Sequence, residues 1–217
     1  MLVTSRPGAD VHRDSDADLM ALTAAGQAGA FEELVRRHQQ RVFNIVYRSV
    51  GNVTDAEDLV QDIFLRVFRA APRYQPTAKF TTWLFRVATN AVINWLRKRD
   101  RRPVALSRVA PAGSTDSPDP VYEDPDASTG LHSLQTDELR TQVRAAIEAL
   151  PPKQRLAVVL FRFEGRSYQE IAEALSCSVM AVKSLLSRAR ENLRRRLTPY
   201  LGEETGFSAE QGPEPPG

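Results

Sequence analysis

Apolar residues between positions 18 and 102 recur every three or four residues, the spacing of one face of an α-helix. The first long run begins near Phe31 and ends at Gly51 and Asn52, residue types that commonly terminate helices. A second run starts at Thr54, three residues before Glu57, which is the spacing of a capping box. The pattern therefore predicts two consecutive helices in this part of the chain.

A loop is predicted after the second helix, which should end before Pro72. Residues 71–80 contain two prolines, and prolines interrupt helices. Thr81 or Thr82 is then expected to cap a third helix that closes in a basic run over residues 97–102. No segment shows the alternation that is typical of strands, so the predicted fold class is all-α.

A composition change divides the chain into two small helical domains. Residues 103–133 contain five prolines and several acidic residues, and such a segment cannot bury enough apolar surface to fold alone. Helical periodicity returns afterwards, and the end of the chain is rich in Pro, Gly and Glu. The predicted organisation is a disordered N-terminal segment over 1–17, a helical module over 18–102, a flexible acidic linker over 103–136, a second helical module over 137–198 and a disordered tail over 199–217.

The second module contains a pattern that predicts a helix-turn-helix. Ser167 and Glu170 have the capping-box spacing, and a three-residue turn, 176–178, precedes a second helix. On that second helix, the apolar positions form one stripe and the basic and hydroxyl residues are left to face outward. A helix of this kind can enter a DNA major groove. The alternative interpretation is an ordinary helical hairpin with a solvated basic face.

Charge separates along the chain although the net charge is only +2. Residues 30–102 carry 14 Lys and Arg against 7 Asp and Glu, and residues 137–198 carry 12 against 7. The two tails and the linker are acidic. Two basic blocks flanked by acidic segments suggest two modules that bind polyanions.

Several functional classes find no support in the residues. The single cysteine, Cys177, excludes an intrachain disulfide, and the three histidines are scattered, so neither a metal site nor a cofactor is expected. No phosphate-binding loop or nucleophile elbow occurs, and the protein is not expected to be an enzyme. There is no signal-peptide pattern and no apolar run long enough to enter a membrane, so a cytoplasmic protein is expected.

Four segments occur in an order and spacing that resemble one protein family. They are FEELVRRH over 31–38, AEDLVQDIF over 56–64, FTTWLFRVATN over 80–90, and the stretch that runs from ALPPKQR at 149–155 to residue 190. In these segments the chain resembles the bacterial sigma factors of the extracytoplasmic-function group. The resemblance implies a protein that binds core RNA polymerase and directs promoter-specific transcription initiation.

The resemblance also implies partners for each segment. Residues 56–64 are similar to the segment that docks on the clamp helices of the polymerase β′ subunit, and residues 80–90 to the promoter-melting helix. Residues 149–190 are similar to the domain that reads the upstream (−35) element, for which the β flap is the expected polymerase contact. Promoter DNA is expected in duplex and single-stranded form. Many members of the family are held inactive by an anti-sigma factor, so such a partner is a further expectation.

Three sets of residues are candidates for these contacts. Aromatic and basic side chains are interleaved in residues 73–86, and single-stranded DNA is held by base stacking and phosphate attraction of this kind. The set for the downstream (−10) element and melting is Arg73, Tyr74, Lys79, Phe80, Thr82, Trp83, Arg86, Asn90, Asn94 and Arg97. For Trp83, a core position and a wedge between bases are equally good interpretations. The set for the −35 element is Ser178, Val179, Met180, Ala181, Lys183, Ser184, Ser187, Arg188 and Arg190.

The third set is expected to contact core polymerase and consists of Asp58, Gln61, Asp62, Phe64 and Arg66. The alternative to a polymerase contact is a polar helix face that only solvent covers, which the resemblance disfavours. Phe64, beside these polar residues, is expected to be the apolar anchor of the interface. The chain departs from the family pattern at Ser176, where members often have Gly, and at Met180 and Ala181, where they often have Gly-Thr. These departures surround the recognition helix and leave its sequence preference open.

Two other classes of protein are compatible with parts of the sequence. A free-standing helix-turn-helix regulator explains residues 137–198 but leaves residues 56–66 and the aromatic and basic loop without a role. A pure interaction protein, such as a decoy of polymerase, explains the clamp-binding segment but needs no basic recognition helix. A gel shift with and without core polymerase distinguishes all three.

Overall fold

A computed structural model describes residues 15–101 and 133–200 of the chain. Within these ranges the backbone forms eight α-helices and no strand, which confirms the predicted all-α class. The helices are α1 (Ser15–Ala24), α2 (Ala30–Val50), α3 (Val53–Ala70), α4 (Phe80–Arg101), α5 (Ser133–Glu148), α6 (Pro152–Val158), α7 (Tyr168–Ala174) and α8 (Val179–Leu197). The predictions for residues 1–14, 102–132 and 201–217 lie outside the described residues.

Helix ends agree with the sequence at α2 and differ at the next two helices. α2 ends at Gly51, which has φ 84° and whose N–H bonds to the Tyr47 carbonyl, as predicted. α3 is capped by Asn52, whose side chain accepts the N–H of Asp55, so the predicted Thr54 cap is wrong. The Asn side chain is a strong N-cap and stands two residues earlier.

Thr81 and Thr82 are not N-caps either, because α4 already begins at Phe80.

Two domain boundaries in the structure also differ from the predicted ones. α1, which the sequence analysis does not separate from the rest of the module, begins at Ser15, inside the segment predicted as disordered. α5 begins at Ser133, so the last four residues of the predicted linker, 133–136, belong to a helix.

The first module is a bundle in which α2, α3 and α4 bury their predicted apolar stripes against one another. Its fully buried side chains include Leu34, Val42, Ile45, Ile63, Leu84 and Leu96. α1 is tied to α2 through Asp16, whose carboxylate lies 2.8 Å from Nε2 of the buried His38 and 3.0 Å from the Arg37 guanidinium. These contacts fix the position of α1 against α2.

The second module consists of α5 to α8, with a π-helical turn at Val159–Phe163 that joins α6 to the helix-turn-helix. The capping box of α7 is confirmed: the Ser167 hydroxyl accepts the Glu170 N–H, and the Glu170 carboxylate accepts the Ser167 N–H at 3.0 Å. Burial raises the pKa of Glu170, but the Ser167 bonds and the Arg166 charge outweigh it and hold that pKa below its usual value. The carboxylate that fixes the start of α7 is therefore ionised.

The two modules share one continuous buried core, whereas the sequence predicts a separate core for each. Buried residues of α2 and α4 belong to the same cluster as Leu156, Leu160 and Ile171 of the second module. The Thr89 hydroxyl of α4 donates a 2.8 Å hydrogen bond to the Ala174 carbonyl at the end of α7. Periodicity shows which face of a helix is apolar but not which helix covers it.

Arg155 is the most deeply buried charged residue in the described ranges, with 4% of its surface exposed. Its guanidinium donates to the carbonyls of Ser49, Glu148 and Leu150, the last at 3.2 Å. Ser49 lies in the last turn of α2, and Glu148 ends α5. Carbonyls at helix C-termini lack intrahelical partners and carry partial negative charge, so one cation satisfies two helix ends from different modules.

Ser176, in the turn between α7 and α8, has φ 49° and is the one non-glycine residue with positive φ in the part of the chain described. This left-handed conformation costs an L-residue about 1–2 kcal/mol and costs glycine almost nothing. We expect Ser176→Gly to raise the free energy of unfolding by about 0.5–1 kcal/mol, after the larger chain entropy of glycine is subtracted.

Urea unfolding of the purified chain measures this change. The matched control is Ser184→Gly, which places glycine inside α8 at an exposed position and should lower stability by about 0.5 kcal/mol. Equal effects of the two substitutions would show that the turn conformation is not strained.

Candidate nucleic-acid interface

The second helix of the helix-turn-helix presents its polar face to solvent. The Ser178 hydroxyl caps α8 by accepting the Ala181 N–H at 3.1 Å, while Val182 and Ala189 are buried against the other helices. The predicted outward orientation is confirmed for the exposed residues Lys183, Ser184, Ser187, Arg188 and Arg190. This face combines cations with hydroxyl groups, both of which bind phosphates and base edges.

The first turn of α8 holds three further predicted contact residues in different environments. Met180 is 69% exposed and has the most exposed large apolar side chain described. Val179 packs against the buried core, and Ala181 is half-buried. Val179 therefore supports the helix from inside, and Met180 is the apolar group that this turn offers to a ligand.

The polar members of the −10 set form a stripe along α4. Arg86, Asn90, Asn94 and Arg97 are all exposed and are separated by four, four and three residues, so they share one helix face. Arg73 and Lys79 are exposed at the two ends of the loop before α4. A nucleic-acid strand that runs along α4 from this loop would contact a basic or an amide side chain at each turn of the helix.

Two predicted −10 contacts are wrong in this structure, because Phe80 is 1% and Thr82 7% exposed. The first turn of α4 faces α2, so Phe80 packs into the core with its ring 5.2 Å from that of His38. Tyr74 and Trp83 are half-buried beside it and contact each other edge to face at 5.0 Å. The loop aromatics therefore form a cluster anchored by Phe80, and Tyr74 is not a free loop side chain.

Comparison with known proteins decides the family. Residues 34–102 match Sigma-70 region 2, and residues 140–193 match Sigma-70, region 4. The chain is 34% identical to the ECF RNA polymerase sigma-E factor of Escherichia coli K12, over 86% of the chain and 96% of that protein. The chain belongs to the extracytoplasmic-function sigma factors.

Two further relatives agree with this assignment. The RNA polymerase sigma-H factor of Pseudomonas aeruginosa is 32% identical over 88% of the chain and 98% of that protein. The ECF RNA polymerase sigma factor SigE of Mycolicibacterium smegmatis is 38% identical over 80% of the chain but only 64% of its own length. As a sigma factor, the protein directs core RNA polymerase in promoter-specific transcription initiation.

Solved structures show the same fold. CnrH in complex with the cytosolic domain of CnrY matches with a TM-score of 0.59 and 28% identity, over 86% of this chain and 99% of that one. The sigma factor RpoE of Bartonella quintana, in complex with the anti-sigma factor NepR, matches with a TM-score of 0.56 over 77% and 96% of the two chains. Because the second match is only 24% identical in sequence, it shows that the two proteins share a fold and nothing further.

The residues predicted to contact core polymerase lie on α3 of region 2. Asp58, Gln61 and Arg66 are exposed, and the Arg66 guanidinium bonds to the Asp62 carboxylate at 2.5 Å. Phe64 is only 7% exposed and packs in the core, so its prediction as an apolar anchor is wrong. It falls on the inner stripe with Ile63 and Val67, which the α2 and α4 helices cover.

Leu65 and Phe68 are the apolar residues that this face exposes, and the sequence analysis does not single them out. Each is 51% exposed, and the Phe68 ring contacts that of Phe31 of α2 edge to face at 5.0 Å. Helical periodicity alone could have predicted their exposure, because positions 61, 65 and 68 are spaced by four and three residues and lie opposite the stripe of Leu59, Ile63 and Val67.

No helix in the described ranges is long and apolar enough to cross a membrane.

Proposed function

We propose that region 4 binds the −35 element as duplex, with α8 in the major groove, and that region 2 binds and melts the −10 element along α4. The observation that carries the first part is the exposed face of α8 with its capped N-terminus, because helix-turn-helix proteins read base edges with the N-terminal part of the second helix. Lys183 and Arg188 supply the cations. The exposed thioether of Met180 is suited to apolar contact with a thymine methyl group.

We expect Lys183→Ala and Arg188→Ala each to weaken promoter binding by the holoenzyme. A lost base contact costs about 1–3 kcal/mol and relaxes specificity at one position, whereas a lost phosphate contact weakens all sequences alike. Binding to duplexes selected from a randomised library distinguishes the two. Arg162→Ala, which removes an exposed arginine outside α8, is the control. Unchanged affinity in both α8 variants would exclude this helix from the interface.

For the −10 element, the exposed stripe of α4 supports strand binding and the Tyr74–Trp83 cluster supports base stacking. An aromatic cluster at the edge of a core offers ring surface to an unstacked base, and each stacked base contributes about 1–3 kcal/mol. Replacement of Tyr74 or Trp83 by Ala should slow open-complex formation, with less permanganate reactivity of promoter thymines, and pre-melted templates should restore transcription. Wild-type permanganate footprints would contradict the stacking role.

The exposed face of α3 supports docking on core polymerase, which we place on the β′ clamp helices, with the β flap as the partner of region 4. We infer that the protein performs no chemistry itself and acts in the cytoplasm, where polymerase and DNA are. CnrH was solved in complex with the cytosolic domain of CnrY, and a protein of the same fold was solved with the anti-sigma factor NepR. We therefore propose that this sigma factor also has an anti-sigma partner.

A further inference from the structure

The last turn of α8 carries a dense cluster of positive charge. Arg194, Arg195 and Arg196 are consecutive and exposed, and we call them the arginine cluster. None of the ion pairs within the described ranges involves these three side chains. The helix dipole favours cations at this end of a helix, but adjacent like charges also repel one another. The arrangement is therefore suited to an acidic partner.

A groove of about 420 Å³ opens beside the arginine cluster. The residues that line it belong to the turn between α5 and α6 and to α8: Ala149, Pro151, Asn192, Arg195 and Arg196. The Arg195 guanidinium donates to the Asn192 side-chain oxygen at 2.6 Å, and the Asn192 amide donates to the Gln154 side-chain oxygen at 2.9 Å. These bonds fix Arg195 at the groove, which combines apolar surface with two guanidinium groups.

The arginine cluster also continues the side of α8 that is expected to contact DNA. Lys183, Ser187, Arg190 and Arg194 are spaced by four, three and four residues, so they share one helix face. The first three are candidates for the −35 contact, and Arg194 lies about 16 Å further along the helix axis than Lys183. A partner that neutralises the cluster therefore changes the positive potential that nucleic acid meets on this face.

The segment of this chain that follows α8 has the matching chemistry. The described part ends at Tyr200, and residues 201–217 contain four glutamates and no basic residue. Glu203 and Glu204 follow Arg196 by seven and eight positions. Seven residues span up to about 23 Å, so both carboxylates can reach back to the cluster. Phe207 is the one aromatic residue of this segment and supplies an apolar side chain that the groove can cover.

We propose that residues 203–207 dock on their own chain, with the carboxylates of Glu203 and Glu204 on the arginine cluster and the Phe207 ring in the groove. Because the segment is covalently attached, docking is intramolecular and weak contacts suffice. The docked carboxylates lie near Arg194 and screen this end of α8 from nucleic acid. The docking is independent of the function proposed above, whereas the screening of DNA rests on it.

Carbodiimide coupling, which joins a carboxylate to a lysine amine that contacts it, tests the docking. The full-length variants Arg195→Lys and Arg196→Lys keep the positive charge and supply the amine. Each should give a monomeric product in which the new lysine is joined to Glu203 or Glu204, identified by mass spectrometry of a proteolytic digest. Arg162→Lys places a lysine at an exposed position outside α8 and should give about tenfold less product with these glutamates.

Absence of the product from both cluster variants, or an equal yield with Arg162→Lys, would overturn the proposal. So would a dimeric product, which would identify a second copy of the chain as the occupant. Coupling of the new lysine to residues 103–132 would identify the acidic linker instead, with the same consequence. Phe207→Ser should lower the yield by about threefold or more, because the apolar contact is lost. An unchanged yield would contradict the contact with the groove.

Binding of the full-length chain to a short labelled duplex of arbitrary sequence tests the screening. Replacement of Glu203 and Glu204 by Gln should tighten binding by about three- to tenfold at low salt, with a smaller gain at high salt. In the matched control, where all three cluster arginines are already Gln, the same replacement should have little effect. Equal gains in both chains would indicate general charge repulsion and would overturn the screening, as would no gain in either.

The proposed function is tested separately from the docked segment. Wild-type promoter affinity in both Lys183→Ala and Arg188→Ala would count against the proposed function and would leave the coupling result unaffected. Weaker promoter binding in those variants, together with no effect of the glutamate replacements, would overturn the screening alone.

Discussion

Replacement of Leu65 or Phe68 by Ala should weaken binding to core RNA polymerase by about 10- to 100-fold, because the few apolar side chains that anchor the centre of an interface contribute about 2 kcal/mol or more each. Both side chains are half-exposed on α3, which also exposes the charged residues Asp58 and Arg66. Fluorescence anisotropy of labelled sigma factor titrated with core enzyme measures the change.

Leu22→Ala, which truncates another exposed leucine, on α1, is the matched control and should bind like wild type. Because Phe68 contacts Phe31, the melting temperature of each variant is measured as well, so that a folding defect is recognised. If Leu65→Ala and Phe68→Ala both bind core polymerase with wild-type affinity while folded, the α3 face is not the docking surface.

The second large effect concerns stability. Arg155→Ala should lower the free energy of unfolding by about 3–5 kcal/mol, because it leaves buried carbonyls at the ends of α2 and α5 without their donor. Arg155→Lys should recover only part of the loss, because one ammonium group cannot reproduce the planar fork of a guanidinium. Urea unfolding measures both.

Arg162→Ala is the control for removal of an exposed arginine of region 4 and should change stability by less than about 0.5 kcal/mol. A loss below about 1 kcal/mol in Arg155→Ala would contradict the buried network, since one unsatisfied carbonyl alone costs about that much.

Local sequence signals predict the features that depend on neighbouring residues. The Ser167–Glu170 capping box, the glycine stop at Gly51 and the outward cations of α8 are all found in the structure, because each depends on spacing within one or two helical turns. The failure at α3 is also local, because Asn52 caps the helix two residues before Thr54. The failure at α4 is not, because the helix begins at Phe80, which packs into the core against α2.

Features that depend on tertiary packing are beyond the sequence pattern. Helical phase places Phe64 nearer than Phe68 to the stripe of Ile63 and Val67, but it does not show that α2 and α4 cover the first and leave the second half-exposed. The burial of Arg155 has no sequence signal either, because its carbonyl partner Ser49 lies 106 residues away. The contacts between the two modules follow from such long-range pairs, so the sequence predicts two separate modules where the structure shows one core.

The most direct test of the central claim is transcription in vitro with sigma-free core enzyme, the purified full-length chain and a library of genomic fragments from the source organism. The account predicts discrete start sites that require the chain, share −35 and −10 elements, and disappear with the double variant Lys183→Ala/Arg188→Ala. Transcription that starts at the same positions and to the same extent without the chain would contradict its assignment as a promoter-directing sigma factor.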